Sequence, residues 1–360
     1  MSNAVDWDLA QRVAIKVATR DQFDGSYYYD AMRRDFETLT AQAEELVGIE
    51  TGLVSAQGPA RARVADRPMW IRANIASFQR LMKPIIEKLG DDGKPSSSPL
   101  GKLTEAAGAA QVGAVLGWMS TRVLGQYDLL LTEDEDPEEQ DIVYYVGPNV
   151  LQLEQKNNFD ARQFRLWLAL HETTHRAQFT GVPWLRDHFL SLVNGTLDAI
   201  DPDPSRMLSV VTDVIEAKRR GEDPLGDGGL PMLFASPEQK VVLDQVMGMM
   251  SLLEGHGDVT MDRAGIDHVH DAPHFASVLR ARRNSAKGVT KVMMKVLGIE
   301  AKINQYAAGE RFIEKVEKVG GQDLLNVAWT APEYLPSMDE IRDPSLWVAR
   351  TQPQLDSVAG

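Results

Sequence analysis

Apolar residues recur at the spacing of an α-helix along most of this 360-residue chain, which limits the fold to one built mainly from packed helices. The clearest helical patterns cover residues 27–47, 66–89, 161–179, 185–200, 237–261 and 286–318. One segment is typical of β structure, because residues 142–146 and 150–153 flank Gly147-Pro148-Asn149 and predict a hairpin or a bent strand. We therefore expect a mainly α protein with a small β-hairpin or short sheet.

Glycines and prolines mark the breaks between these helices. Residues 90–101 are rich in Gly, Pro and Ser and predict a flexible linker, and residues 219–231 predict a loop. Gly108, Gly113 and Gly117 recur within a helix rich in Ala, Val and Leu, where small residues let a neighbouring helix approach closely. The proline-containing stretch from Ala331 onward predicts an ordered wrap or a loose tail.

Composition excludes several classes of function. Acidic residues outnumber basic ones by 52 to 38, which gives a formal net charge of −14. An anionic surface repels polyanions, so we expect no nucleic-acid partner and no membrane partner. The chain has no cysteine, which excludes disulfides, thiolate catalysis and cysteine-bound zinc. Since no segment has the continuous apolar character of a signal peptide or a membrane span, we expect a cytoplasmic protein.

A candidate metal site lies on the helix predicted to begin where Asp160 and Gln163 have the spacing of a capping box. His171 and His175 are four residues apart on one face of that helix, within reach of a single ion. Glu172 follows the first histidine, and its carboxylate lies where it could accept a proton from water. This HExxH pattern predicts two zinc ligands and a general base.

Zinc needs a third protein ligand, which the sequence offers on a second predicted helix. Glu254 and Asp258 share one face there, whereas His256 is rotated by about 200° and faces away. Geometry therefore favours Glu254 as the ligand and Asp258 as the carboxylate that accepts the other ring N–H of a ligand histidine. Gly255 and Gly257 each disfavour a helix by about 1 kcal/mol, which suggests a close approach by another backbone. Two alternatives stay open: His256 is the ligand if the glycines unwind the helix, or Glu254 is solvated and Asp258 caps the next turn.

Several segments together resemble one family. They are His171-Glu-Thr-Thr-His175, Arg176-Ala-Gln178-Phe179, Pro183-Trp184-Leu185, Leu253-Glu254-Gly-His-Gly-Asp258, Met261-Asp262 and residues 298–312. Most of the chain resembles the bacterial zincin-like metallopeptidase type 2 family, some of whose relatives are labelled as associated with biosynthesis of a deazaflavin coenzyme. The resemblance implies a zincin-type active site, hydrolysis of peptide bonds, and a role for Asp258 as the partner of His171.

We accordingly expect a single zincin-like domain over residues 1–360. Its expected parts are an N-terminal helical part (1–100), a metal-site core (101–275) and a C-terminal helical part with a tail (276–360). Outside the main site, His268, His270 and His274 could form a second metal site, but a solvated loop with incidental histidines is the favoured interpretation.

The function predicted from these residues is that of a zinc metallopeptidase. Zinc (Zn²⁺) is expected on His171, His175 and Glu254, with Glu172 as general base. The expected partner is a peptide or protein substrate, which could pair with the strand region at residues 142–153. The alternative is a non-catalytic, zinc-containing binding or regulatory protein on a peptidase scaffold. The sequence leaves the oligomeric state open.

Overall fold

The computed structural model describes residues 6–18, 20–88, 99–128, 140–198, 237–284 and 299–358. Its helices are α1 (Trp7–Val17), α2 (Tyr27–Thr51), α3 (Arg67–Lys88), α4 (Pro99–Ser120), α5 (Gly147–Asn157), α6 (Ala161–Gly181), α7 (Leu185–Asp198), α8 (Pro237–Ala264), α9 (Ala272–Asn284), α10 (Ile299–Asn326), α11 (Met338–Arg342) and α12 (Pro344–Val358). The strands are β1 (Arg61–Ala65), β2 (Gly125–Tyr127) and β3 (Ile142–Val146). The predicted mainly α fold with a short sheet is thus confirmed. None of the helices described has both the length and the apolar character that crossing a membrane requires.

Most of the predicted helices are present with similar bounds. The helix predicted at 161–179 is α6, and the one predicted at 237–261 is α8. Residues 219–231 and 286–298 lie outside the described residues. The predicted linker is described only from Pro99, where α4 already begins. The segment after Ala331 forms an ordered wrap of 3₁₀ and α-helical turns.

The chain forms two compact units. The first unit contains Met1–Gly181 and Thr260–Ala276, and the second contains Val182–Val259 and Ser277–Gly360. Helix α8 therefore belongs to the second unit up to Val259 and to the first unit over its last residues. The predicted single domain and its division at residues 100 and 275 stay predictions.

The sheet of the first unit has three strands in the order β1-β3-β2. β3 pairs in parallel with β1, with Ala65 opposite Val146, and antiparallel with β2, with Tyr127 opposite Val143. Every residue of β3 is buried, which suits its β-branched and aromatic side chains. The ring of Tyr145 stacks on Phe36 of α2 with centroids 3.7 Å apart. This contact fixes the central strand against a long helix.

The hairpin predicted around Gly147-Pro148-Asn149 is wrong. Residues 150–153 lie in helix α5 and not in a second strand. Pro148 is compatible with this helix because it occupies the first turn, where a backbone N–H has no intrahelical acceptor. Asn149 is buried and is not a turn residue. Its side-chain amide donates to the carbonyl oxygens of Ser120 and Val123 at 2.8 and 2.6 Å and so links α5 to the end of α4. β3 is consequently paired on both sides and is not an edge to which a substrate strand could add.

The predicted close packing at the small-residue helix is confirmed. A Cβ atom at Gly113 would clash with the carbonyl oxygen of Ala10 in α1, and one at Gly117 would clash with that of Ala14. Both obstacles are backbone atoms, which cannot rotate away. By contrast, a Cβ at Gly108 would meet nothing within 4 Å. Two of the three glycines are therefore needed for the contact between α1 and α4.

Candidate metal centre

The metal-site helix, α6, begins where the sequence predicts. The Asp160 carboxylate accepts a hydrogen bond from the Gln163 backbone N–H at 2.9 Å, which satisfies a donor that the first turn leaves open. Phe164 and Leu168 on this helix are buried in the first unit. The same stripe continues into His171 and His175, which are both partly exposed. The helix thus runs from an apolar core to a polar site, as its sequence pattern predicts.

The two histidines of α6 have the geometry of a metal-binding pair. Nε2 of His171 lies 3.2 Å from Nε2 of His175, and the two rings are nearly perpendicular, at 87°. Two nitrogens bound to one zinc ion at about 2.0–2.1 Å in tetrahedral geometry lie about 3.3 Å apart. The spacing of the two nitrogens is therefore that of two ligands of one zinc ion.

Gln178 is a residue of the site that sequence reasoning missed. Its side-chain oxygen lies 3.0 Å from Nδ1 of His175, and its side chain is fully buried. Because an amide oxygen accepts and does not donate, this contact places the ring proton on Nδ1 and leaves the Nε2 lone pair for a metal. The only sequence signal was the three-residue spacing from His175, which puts both side chains on one face of α6.

Glu172 faces the end strand of the sheet. Its Oε2 accepts a hydrogen bond from the backbone N–H of Tyr127 in β2 at 3.1 Å. Gly125 of the same strand also lies against it, because a Cβ there would be 2.5 Å from Oε1. Glu172 is 7% exposed. The candidate general base is therefore buried and held by main-chain groups of β2.

Buried ion pairs anchor α6 on both sides of the histidines. Arg176, next to His175, donates to the Asp141 carboxylate at 2.5 Å and to the carbonyl oxygen of Gly58 at 2.7 Å, and it also pairs with Glu44. Burial lowers the pKa of Arg176, but the hydrogen bond and charge of Asp141 outweigh it and raise the pKa above its ordinary value. These bonds join α6 to the residue that precedes β3 and to α2.

A second buried pair holds the first half of α6. Arg165 donates to both carboxylate oxygens of Glu154 in α5, at 2.8 and 2.7 Å, and to Asp35 of α2 at 2.5 Å. Burial raises the pKa of Glu154, and the hydrogen bond from Arg165 opposes that shift. Because breaking either arginine network would leave a buried charge unpaired, these networks restrict movement of the helix that carries both histidines.

The second unit contains the candidate third ligand on α8. This helix is unbroken across Gly255 and Gly257, so the unwinding that would let His256 be the ligand does not occur. The His256 ring instead packs edge-on against Trp329, with centroids 5.1 Å apart. A Cβ at Gly255 would clash with the backbone of Gly309 in α10, which confirms the predicted close approach at that glycine.

Glu254 and Asp258 lie four residues apart on the unbroken α8, and Glu254 is buried. They therefore share one face of the helix, as the sequence predicts. Their assignments, Glu254 as third metal ligand and Asp258 as partner of His171, stay predictions.

The segment that follows α8 packs on α6 within the first unit. A Cβ at Gly265 would lie 3.0 Å from Cδ1 of Leu170, the residue before His171. Further along, the ring of Phe275 packs against Phe164, with centroids 5.2 Å apart. The backbone N–H of Asp271 donates to the Gln163 side chain at 3.1 Å, so Gln163 does not complete a capping box. The C-terminal end of α8 is thus positioned beside the metal-site helix.

The other histidines of this segment do not assemble a second site. His268, His270 and His274 are all exposed, and His274 packs its ring against Phe159 at 5.3 Å. Within the described ranges they do not belong to a group of three side chains that could hold a metal ion. His268 and His270 lie in the exposed turns between α8 and α9, as the favoured interpretation expects, whereas His274 lies in α9 rather than in a loop.

Comparisons with known proteins place the chain in a family and identify a similar solved structure. The family model for zincin-like metallopeptidases matches residues 5–348. A crystal structure of a protein from Chloroflexus aurantiacus, described as a proposed hydrolase with a novel fold, is similar over 97% of this chain and 99% of that chain. The two are 27% identical, with a TM-score of 0.70. No curated protein matches the chain.

Proposed function

This chain belongs to the zincin-like metallopeptidase family, and we propose that it is a zinc-dependent hydrolase of peptide bonds. The observation that carries the proposal is the pair of histidine Nε2 atoms 3.2 Å apart, with the carboxylate of the intervening Glu172 held beside β2. The description of the similar Chloroflexus aurantiacus protein as a proposed hydrolase supports the same reaction class.

The proposed metal ligands are His171, His175 and Glu254. Two imidazoles and one carboxylate are a typical ligand set of catalytic zinc, and they leave one position for water or substrate. When bound, zinc in such a site lowers the pKa of a water molecule and polarises a carbonyl group. The unbroken α8 supports the choice of Glu254, because it keeps Asp258 on the same face. We propose that Asp258 accepts the Nδ1 proton of His171, as Gln178 does for His175.

Glu172 is the proposed general base. Its Oε2 accepts a hydrogen bond from Tyr127 N–H, and its carboxylate is the proposed acceptor of the proton of the attacking water. The water oxygen would bond to the carbonyl carbon, and Glu172 would then pass the proton to the amide nitrogen as the C–N bond breaks, which releases a carboxylic acid and an amine. The same carboxylate therefore acts first as base and then as acid.

The proposed substrate-binding strand is β2 rather than β3. β2 is a terminal strand of the sheet and contacts Glu172. Leu124 and Asp128 pair with β3 through their backbone groups, so the backbone groups of Gly125 and Tyr127 point to the outer edge. The Tyr127 N–H is bound there by Glu172, and the proposed contact with a substrate uses the other outward groups. An extended peptide aligned along this edge would carry its scissile bond past Glu172.

The proposal is tested by Glu172→Gln. Metal content would be measured on the purified protein, and cleavage would be followed with a library of internally quenched peptides, with and without 1,10-phenanthroline. We expect bound zinc in both proteins, cleavage that the chelator abolishes, and a loss of about 100-fold or more in the variant. Glu37→Gln on the exposed face of α2 is the matched control and should cleave like the wild type.

Undiminished cleavage by Glu172→Gln would refute its role as base. Stoichiometric zinc without cleavage of any peptide would favour a non-catalytic zinc-containing binding protein on this scaffold instead. The presence of Glu172 supports the enzyme, because a binding protein has no need of a buried carboxylate beside the two histidines.

A further inference from the structure

We propose that β2 is a positioning element for the general base, in which Tyr127 N–H fixes one oxygen of Glu172 and Gly125 leaves the space that its carboxyl group occupies. This inference rests on the proposed function and extends it to two residues outside the HExxH motif. In this positioning role the Gly125 Cα and the Tyr127 N–H act through Glu172, and any contact of β2 with the substrate is made by its other outward backbone groups.

A glycine is needed at position 125 because the Glu172 side chain occupies the space of a Cβ atom, and not because of the backbone conformation of Gly125. Its φ is outside the positive range that Gly25, Gly52, Gly58 and Gly321 adopt, so an L-residue could take its conformation. The obstacle to a Cβ atom is Glu172, whose Oε1 would lie at 2.5 Å and whose Cδ and Cγ would lie at 2.7 Å. Because these atoms end a flexible side chain, an added methyl group would displace the carboxyl group rather than disrupt the fold.

The Tyr127 N–H holds the Glu172 carboxylate in place by a hydrogen bond. The N–H of the next residue, Asp128, donates to Ile142 O of β3 at 3.2 Å. Because successive N–H groups of a strand point to opposite sides, the Tyr127 N–H points away from β3. Its hydrogen bond to Glu172 Oε2, at 3.1 Å, is buried. A backbone donor in a regular strand is rigid, so it fixes the carboxylate more firmly than a mobile side chain would.

The test of the glycine is Gly125→Ala, measured with the fastest-cleaved quenched peptide. We expect kcat to fall about 100-fold, while KM changes less than about threefold and zinc content is unchanged. Gly108→Ala is the matched control, because a Cβ there meets nothing within 4 Å, and it should retain wild-type kcat. If Gly125→Ala keeps wild-type kcat while Glu172→Gln loses cleavage, the positioning role is wrong and the proposed function stands.

A second measurement needs no peptide substrate. Acetohydroxamate, which chelates zinc and hydrogen-bonds to a neighbouring carboxylate, would be titrated calorimetrically into the zinc-loaded proteins. Gly125→Ala and Glu172→Gln should each weaken its binding about tenfold, and the double variant should bind no more weakly than Glu172→Gln alone. Additive losses would contradict the proposal, because they would mean that Gly125 acts independently of Glu172.

The hydrogen bond itself is tested by an amide-to-ester exchange. Incorporating the α-hydroxy acid analogue of tyrosine at Tyr127 removes the N–H donor and keeps the side chain. We expect kcat to fall about tenfold with KM nearly unchanged. The same analogue at Tyr28 is the control, since that N–H lies in the first turn of α2, where it has no intrahelical acceptor. Unchanged kcat in the Tyr127 ester would exclude a role for this donor.

Discussion

Replacing Gln178 with methionine should weaken zinc binding, because it removes the acceptor that holds the His175 ring. Gln178 Oε1 lies 3.0 Å from Nδ1 of His175, and the side chain is fully buried in the first unit. Methionine has a similar volume and fills irregular space well, so packing changes little. The Nδ1–H group loses its partner, and the ring is no longer fixed with Nε2 toward the metal.

The magnitude follows from the hydrogen bond that is lost. A neutral hydrogen bond contributes about 0.5–1.5 kcal/mol, and a buried donor left without a partner costs about 1–3 kcal/mol. Without metal, the His175 ring can rotate or move its proton to reduce this cost, whereas the bound form requires Nε2 as ligand. Because each 1.4 kcal/mol is a factor of ten, we expect zinc affinity to fall about 10- to 100-fold.

The assay is competition for zinc against a fluorescent chelator of known affinity at pH 7.5. Gln155→Met, on an exposed position of α5, is the control and should bind zinc like the wild type. Gln178→Glu keeps an acceptor and should bind zinc at least as tightly as the wild type. Wild-type zinc affinity in Gln178→Met would refute the reasoning, since the acceptor would then have no effect on the ligand.

Two further predictions concern stability. Gly113→Ala should lower the free energy of unfolding by about 1–3 kcal/mol, because its Cβ meets the backbone of Ala10; Gly108→Ala should not lower it, and equal thermal shifts would contradict the explanation. Burial lowers the pKa of His188 in α7 below its ordinary value of 6.5, so the unfolded chain binds this proton more readily and stability is lost as pH falls below 6.5. The Tm of His188→Gln should therefore fall less than that of the wild type between pH 7.5 and 5.5. An equal fall in Tm would exclude a contribution of His188 to the pH dependence of stability.

The part of the site that lies on helices was predictable from the sequence. Helix α6 was predicted with its first residue correct, since Asp160 caps it and the stripe from Phe164 to His175 follows the helical repeat. The shared face of Glu254 and Asp258 follows from the same periodicity on α8. Local spacing is sufficient for such features, because a helix determines the relative directions of its own side chains.

The part contributed by β2 was not predictable. This strand has three residues, too few to give an alternating pattern, and its contact with Glu172 is made by a backbone N–H that every residue except proline carries. The wrong prediction of a strand at residues 150–153 has a similar origin. The Asn149 side chain bonds to buried groups of α3 and α4 and does not form a turn. Contacts that depend on distant segments leave no local spacing to detect.

The shortness of β2 also bears on self-association. A terminal strand exposes unpaired main-chain groups, and other chains can add to such an edge indiscriminately. Here the edge extends over three residues, and one of its outward donors is already bound by Glu172 of the same chain. A long foreign strand can gain few ladder bonds beyond the short stretch that the proposed substrate would use, so the fold limits amyloid-like stacking at β2.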